Sequence, residues 1–345
     1  MTSLAERFDV LLLDLDGTVY LGHRPIEHVG EALQEAARRG ARSVYVTNNA
    51  SRPPAEVAAQ LVGMGLDASP DDVLTSPQAA AKMLVERHPA GAAVLVVGAP
   101  YLADEVARVG LTPVRSFADN PVAVVQGHSP ETGWPILAEA CLALRGGADW
   151  VAANVDATLP TDRGMLPGNG AMVSVLVTAT GRRPRVAGKP ARPMVDAAIA
   201  RYGSTTPLVV GDRLDTDIEA AVTAGVPSLL VFTGVSTPAE VIVAPADRRP
   251  VHAGFDMRAV IDVNRCVDLT AGGDGWTVDA TGEGLSLARN STTRRDDTHP
   301  DADALHALAA LAQVSWGDPG ASVGAISAAD EAARAALDRL GIRST

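Results

Sequence analysis

A chain of 345 residues, 47% hydrophobic and 20% charged, has the apolar content to build two or three folded domains and is far from the composition of a disordered chain. A formal net charge of −12 opposes non-specific binding to nucleic acid or to an anionic membrane, so an anionic substrate would need a metal or local lysines and arginines. No apolar run reaches the roughly 18 residues of a membrane helix, the N-terminal stretch lacks a cationic leader, and Cys141 and Cys266 are too few for a disulfide framework; a cytoplasmic protein with reduced thiols is expected.

In chain order, short apolar runs at Val10–Leu13, Val44–Val46, Val94–Val97, Val122–Val125, Leu208–Val210 and Leu229–Val231 predict strands buried on both faces. Helix candidates lie between them at Val29–Arg39, Pro54–Met64, Ala79–Arg87, Ile136–Leu144, Met194–Tyr202 and Asp217–Ala224. The alternation predicts an α/β fold with a doubly wound parallel sheet. Polar loops containing Pro and Gly, Glu86 to Gly91 and Thr180 to Arg185, mark places where the chain crosses between domains. The expected division is a core of residues 1–86 and 184–258, an inserted α/β cap domain of residues 87–183, and a small C-terminal α+β module of residues 259–345. That module opens with a hairpin-like stretch, Gly275–Asp279 to Leu285–Ala288, followed by a charged loop and two helices.

Four polar clusters follow predicted strands. Asp14 and Asp16, with Gly17 and Thr18 behind them, end the first strand; two carboxylates there suit a hard cation such as Mg2+, although a solvated Asp-Gly turn reads equally well. Thr47, Asn48 and Asn49 end the second strand and precede a helix, where hydroxyl, amides and free backbone N–H groups can hold phosphate oxygens or simply cap the helix. Lys189, between Gly188 and Pro190, could neutralise a phosphate or be a solvated surface group. Asp212 occupies a strand end like that of Asp14, and Asp217 lies just inside the next helix, where it can support a metal shell or face the helix N-terminus.

Taken together, Asp-x-Asp-Gly-Thr, Thr-Asn-Asn, Lys-Pro and Gly-Asp-x-x-x-Thr-Asp resemble the four motifs of the haloacid dehalogenase superfamily of phosphatases. The insertion between Thr47 and Lys189, with Asn154-Val155-Asp156, Leu159-Pro160, Pro167–Gly170 and Leu230–Thr237, resembles its type IIA cap subgroup over about residues 8 to 250. This resemblance implies a Rossmann-like core in which Asp14 is the phosphorylated nucleophile. It implies that Asp14, the backbone carbonyl of Asp16 and Asp212 bind Mg2+, that the Asp16 side chain is general acid and base, and that Asp217 supports the metal. Thr47, Asn48, Asn49 and backbone near Gly17 would hold the phosphoryl oxygens while Lys189 offsets their charge.

The subgroup includes phosphatases for glycerol 3-phosphate, phosphoglycolate, pyridoxal phosphate and nucleotides. Asn154 to Arg163 is the expected selectivity loop, and Leu159 aligns with a position that is histidine in the pyridoxal phosphatases. Glycerol 3-phosphate or phosphoglycolate is therefore the expected substrate, with pyridoxal phosphate or a nucleotide as the alternative and a catalytically silent phosphate-binding or signalling module as the reading of another class. No nucleic-acid or membrane partner is expected. The tail from about Asp262 could be half of an acetyltransferase-like fold, but Gly317 to Ala321 is a poor pyrophosphate loop, so no transferase activity is expected and docking or homo-oligomer formation is its expected role.

Overall fold

The computed structural model describes residues 2–161, 163–281, 284–290, 300–317 and 324–344. They form two compact units, Met1–Val44 with Tyr202–Thr345, and Tyr45–Arg201. Asp162 of the expected selectivity loop, the charged loop 291–299 and residues 318–321 of the stretch weighed as a pyrophosphate loop lie outside the described residues.

In the first unit Val10–Leu13 pairs in parallel with Pro207–Gly211, that strand with Ser228–Val231, and that with His252–Gly254. Val267–Asp268 closes this edge antiparallel. All residues of the three strands Val10–Leu13, Pro207–Gly211 and Ser228–Val231 are buried, which is why their sequences read as continuous apolar runs without alternation. Leu13 lies level with Val210, so Asp14 and Asp212 leave the sheet at the same, C-terminal edge.

The C-terminal segment belongs to this same unit. Trp276–Thr281 and Gly284–Arg289 form the expected hairpin, and Ala325–Ala328 adds a third strand in parallel with the second. The helix Pro300–Gly317 has Ala and Leu on every side, the pattern of a helix surrounded by protein. Leu305, Leu308 and Leu311 from it, with Leu285, Leu287 and Leu337, share one apolar cluster with Leu214, Ile218, Leu230, Val241 and Ile242 of the sheet region. Trp316 Nε1 donates to the Val241 carbonyl at 3.1 Å, and the Arg249 guanidinium lies 5.1 Å from the Trp316 ring centre. The tail and the sheet region thus complete one hydrophobic core.

The second unit holds five parallel strands in the order Arg185–Val186, Asp149–Ala152, Ala123–Gln126, Ala93–Val97, Thr112–Val114. The helices Trp134–Arg145 and Asn169–Thr180 pack on it around Leu95, Val124, Trp150 and Leu176. A separate antiparallel hairpin, Thr158–Thr161 with Gly164–Pro167, carries Leu159, half-buried, opposite Leu166. Tyr45–Thr47, the end of the strand Arg42–Thr47, pairs in parallel with Val73–Thr75. Among the described residues no helix is long and apolar enough to cross a membrane.

Candidate active site

Three carboxylates converge at the sheet edge of the first unit. Oxygens of Asp14, Asp212 and Asp217 all lie within 4.8 Å of one another; Asp14 is half-buried, while Asp212 and Asp217 are 0% and 1% exposed. Like charges this close and this dry repel strongly unless a cation or protons compensate them. The protein supplies part of the compensation through neutral donors: the Val235 N–H donates to Asp212 Oδ2 at 2.8 Å, the Thr18 hydroxyl to Asp212 Oδ1 at 3.3 Å, and the Arg213 N–H to Asp217 Oδ2 at 3.2 Å. Arg213 itself directs its guanidinium to Asp215, at 2.9 and 3.0 Å, and that hydrogen-bonded carboxylate raises its pKa further.

The backbone makes this approach possible. Residues Leu214–Ile218 form a π-helical turn in which the Asp217 and Ile218 N–H groups both reach the Arg213 carbonyl, at 3.1 and 3.2 Å. The turn presses Asp217 over Gly211, where a Cβ would stand 2.3 Å from its side chain. Gly17, at φ +92°, and Gly234 play the same part for Asp212: an added Cβ would fall 2.4 and 2.0 Å from Asp212 Oδ2. The Thr233 hydroxyl donates to the Gly17 carbonyl at 2.6 Å, and the Leu214 N–H to Ser236 Oγ at 3.0 Å. Asp16, two residues past Asp14, is exposed. Hard oxygen donors in this number and spacing fit Mg2+, and Asp217, given only a supporting place in the sequence reading, lies in the same carboxylate set as Asp14 and Asp212.

In the second unit Thr47 ends its strand with 6% exposure, and its hydroxyl accepts from the Asn49 N–H at 3.1 Å. Asn49 Oδ1 accepts from the Ser51 N–H and hydroxyl, each at 2.9 Å, so this side chain shapes the turn into the helix Pro54–Gly63. Asn48 Oδ1 accepts from the Lys189 N–H at 2.8 Å, while its Nδ2 donates to the Lys189 carbonyl at 2.9 Å and to Asp156 at 3.3 Å. Both ends of the Asn48 amide are thus engaged in placing Lys189. Gly188 admits this approach, since a Cβ there would lie 2.5 Å from Asn48 Oδ1. Lys189 is 4% exposed, and its ammonium donates to the Val46 carbonyl at 3.2 Å. A lysine this buried is held for its charge.

A relay of asparagine amides ties the expected selectivity loop to this lysine. Asn169 Nδ2 donates to the Asn154 carbonyl at 2.6 Å, and Asn154 Nδ2 donates to the Asn48 carbonyl at 2.7 Å. Gly168 and Gly170 let the loop lie against the start of its helix, their missing Cβ positions falling 2.2 Å from the Asp156 carbonyl and 2.1 Å from the Val155 carbonyl. From sequence Asn154 was given a part only as the start of the selectivity loop, and Gly168, Asn169 and Gly170 were given none. Thr18, Thr233, Gly234 and Ser236 were likewise unassigned, although all four lie in quoted motifs.

Residues 11–112 match the family model described as haloacid dehalogenase-like hydrolase, residues 186–255 match a second model of the same kind, and residues 273–342 match a GCN5-related N-acetyltransferase like domain. The chain is 49% identical over 343 residues to a D-glycerol 3-phosphate phosphatase of Mycobacterium tuberculosis, covering 98% of this chain and 96% of that one. It is 37% identical over 227 residues to a 5'-nucleotidase of Bacillus subtilis, covering 65% and 87%. Among solved structures, a glycerol phosphate phosphatase from Mycobacterium tuberculosis in complex with magnesium is similar with a TM-score of 0.89 at 48% identity, covering 99% of this chain and 100% of that one.

Proposed function

The chain belongs to the haloacid dehalogenase-like hydrolases, and from that membership we propose that it hydrolyses glycerol 3-phosphate to glycerol and phosphate through an aspartyl-phosphate on Asp14. It is a magnesium-dependent phosphoric monoester hydrolase. The observation that carries the chemistry is the set of Asp14, Asp212 and Asp217 carboxylate oxygens within 4.8 Å of one another at one strand edge. Those three side chains, with the Asp16 carbonyl, would hold Mg2+, which when bound neutralises phosphoryl charge and screens the attacking carboxylate from the anionic ester.

Asp14 Oδ attacks phosphorus as the ester P–O bond breaks, and the exposed Asp16 carboxyl gives its proton to the departing glycerol oxygen. Asp16, now a carboxylate, takes a proton from water as that water attacks the aspartyl-phosphate, which restores both residues and releases phosphate. Thr47 and backbone N–H groups near Gly17 orient phosphoryl oxygens, and Lys189 supplies compensating positive charge. Asn48 acts by holding Lys189, and Asn49 by shaping the loop that carries Thr47. Leu159 and its hairpin act on the leaving group, with the cap taken as residues 87–183 and the core as residues 1–86 and 184–258.

Glycerol 3-phosphate is preferred to phosphoglycolate, pyridoxal phosphate and nucleotides because the relative with that activity matches nearly the whole chain, tail included. Comparison of kcat/KM across those four substrate types tests this reading. A value for glycerol 3-phosphate below that for any of the others would overturn it.

A further inference from the structure

We propose that His128 reads the leaving group: its imidazole hydrogen-bonds the free hydroxyls of the glycerol moiety and so selects a polyol phosphate. The inference rests on the glycerol 3-phosphate reading above and names a residue to which that reading gives no part.

The second unit's parallel sheet delivers three polar residues from three neighbouring strands. Val186 lies level with Ala152, and Ala152 with Gln126. Lys189 follows the first of these strand ends, Asn154 the second and His128 the third, all at the carboxyl edge where parallel sheets carry their ligands. With neighbouring strands about 4.8 Å apart, Lys189 and His128 leave the sheet about 10 Å from each other. That span suits a phosphate held by the lysine with a three-carbon alcohol extending toward the imidazole.

Gly127 brings this strand end against the loop that carries Thr47. A Cβ on Gly127 would lie 3.2 Å from the Ala50 Cβ and 3.6 Å from the Ala153 Cβ. Ala50 directly follows Asn49, Ala153 directly precedes Asn154, and Asn154 Nδ2 donates to the Asn48 carbonyl at 2.7 Å. His128 is thus the next residue beyond a junction of the phosphate-holding loop and the selectivity loop. Past it the chain is tied into a turn: the Glu131 N–H donates to Ser129 Oγ at 3.2 Å, and the Thr132 N–H to the Ser129 carbonyl at 3.1 Å. The backbone is therefore fixed on both sides of the imidazole.

The side chain has the chemistry to meet a hydroxyl. His128 is half-buried, and among the described residues no hydrogen bond or ion pair engages it. Its ring nitrogens are not sealed from solvent, unlike the amide of Gln126 two residues earlier, so a ligand can reach them. Burial holds its pKa below the ordinary 6.5, so the ring is neutral at neutral pH. A neutral imidazole offers one N–H donor and one acceptor nitrogen, which a hydroxyl can meet in either direction. A carboxylate, as in phosphoglycolate, would find only the donor.

Steady-state kinetics of the full-length, magnesium-loaded protein test the assignment in wild type, His128→Ala and His128→Phe. The substrates are glycerol 3-phosphate and propyl phosphate, which keeps the three carbons and lacks both hydroxyls. The readout is the ratio of kcat/KM for the first to that for the second. Wild type should favour glycerol 3-phosphate, and either folded variant should lower the ratio about tenfold, mainly through KM, the scale of losing one or two neutral hydrogen bonds. His128→Phe keeps an aromatic ring without nitrogens, so it stays informative if His128→Ala fails to fold. A ratio unchanged in a folded variant, whatever the loss of absolute rate, would overturn the role of His128 and leave the substrate reading standing. A wild-type enzyme that does not favour glycerol 3-phosphate over propyl phosphate would overturn both, since no hydroxyl recognition would then exist to assign.

Discussion

Asn48 and Lys189 exchange two hydrogen bonds, 141 positions apart in sequence: the Lys189 N–H donates to Asn48 Oδ1 at 2.8 Å, and Asn48 Nδ2 donates to the Lys189 carbonyl at 2.9 Å. A backbone clamp of this kind fixes where the lysine side chain begins, and Asn154 fixes the clamp in turn by donating to the Asn48 carbonyl.

Replacing the clamp should therefore misplace the ammonium without removing it. For Asn48→Ala we expect kcat to fall about a hundredfold, the scale of an ångström-level misplacement in a catalytic site. Loss of the buried hydrogen bonds should also lower stability by about 1–3 kcal/mol. Steady-state kinetics and thermal unfolding check both, and wild-type kcat in a folded variant would remove Asn48 from the account.

The glycines around Asp212 offer a sharper steric test. Gly17→Ala and Gly234→Ala put a methyl group inside contact distance of the Asp212 carboxylate, at 2.4 and 2.0 Å. Each should raise the magnesium concentration needed for half-maximal activity and reduce kcat, on the order of a hundredfold or more. Magnesium titration of phosphate release measures it. Gly22→Ala, where a Cβ meets nothing within 4 Å, serves as the control for positive φ alone, since Gly22 sits at φ +60°.

Much of this site was legible in the sequence because parallel strands buried on both faces announce themselves as apolar runs, and the polar residue ending such a run must be at the sheet edge. Val10–Leu13 before Asp14 and Leu208–Val210 before Asp212 were read that way, and the structure extends the second to Pro207–Gly211. Asp217 was expected to support the metal; what was not legible is the π-helical turn that brings its carboxylate into one set with Asp14 and Asp212, since no simple periodicity marks it. The asparagine relay was equally hidden, since its partners lie 15 and 106 positions apart. Ala325–Ala328 escaped notice because Ile326 is its only β-branched residue and its other three residues are small and half-buried, which gives a weak strand signal. The tail reads as a small C-terminal α+β module by composition; what composition does not show is that its leucines share an apolar cluster with Leu214, Leu230 and Ile242.

That shared core makes the tail a structural requirement. Trp316→Ala should cost about 1–3 kcal/mol, below the range of a fully buried aromatic because Trp316 is half-buried. Deleting residues 262–345 should give aggregated or unfolded protein, as judged by size-exclusion chromatography and circular dichroism. A soluble, folded and fully active truncation would show that the sheet region does not depend on the tail.

His252 sets a pH dependence whose sign follows from its burial. Burial holds its pKa below the ordinary 6.5, against a smaller opposing pull from the Asp268 carboxylate. Below about pH 6.5 the unfolded chain takes up a proton that the folded chain resists, so this stability is present above 6.5 and is lost as pH falls through it toward the folded value. Urea unfolding at intervals between about pH 7.5 and 5.5 should show wild type losing stability relative to His252→Leu. A gap between the two that does not change with pH would contradict this account.

The most direct test of the central claim is phosphate release from glycerol 3-phosphate by wild type and Asp14→Asn, each with magnesium and with chelator. The account requires turnover by wild type with magnesium, its loss in chelator and restoration by added magnesium, and a fall of about a thousandfold or more in well-folded Asp14→Asn, as for removal of a catalytic nucleophile. Turnover that survives chelation, or that Asp14→Asn retains, would show that the carboxylate cluster is not where the phosphoester is cleaved.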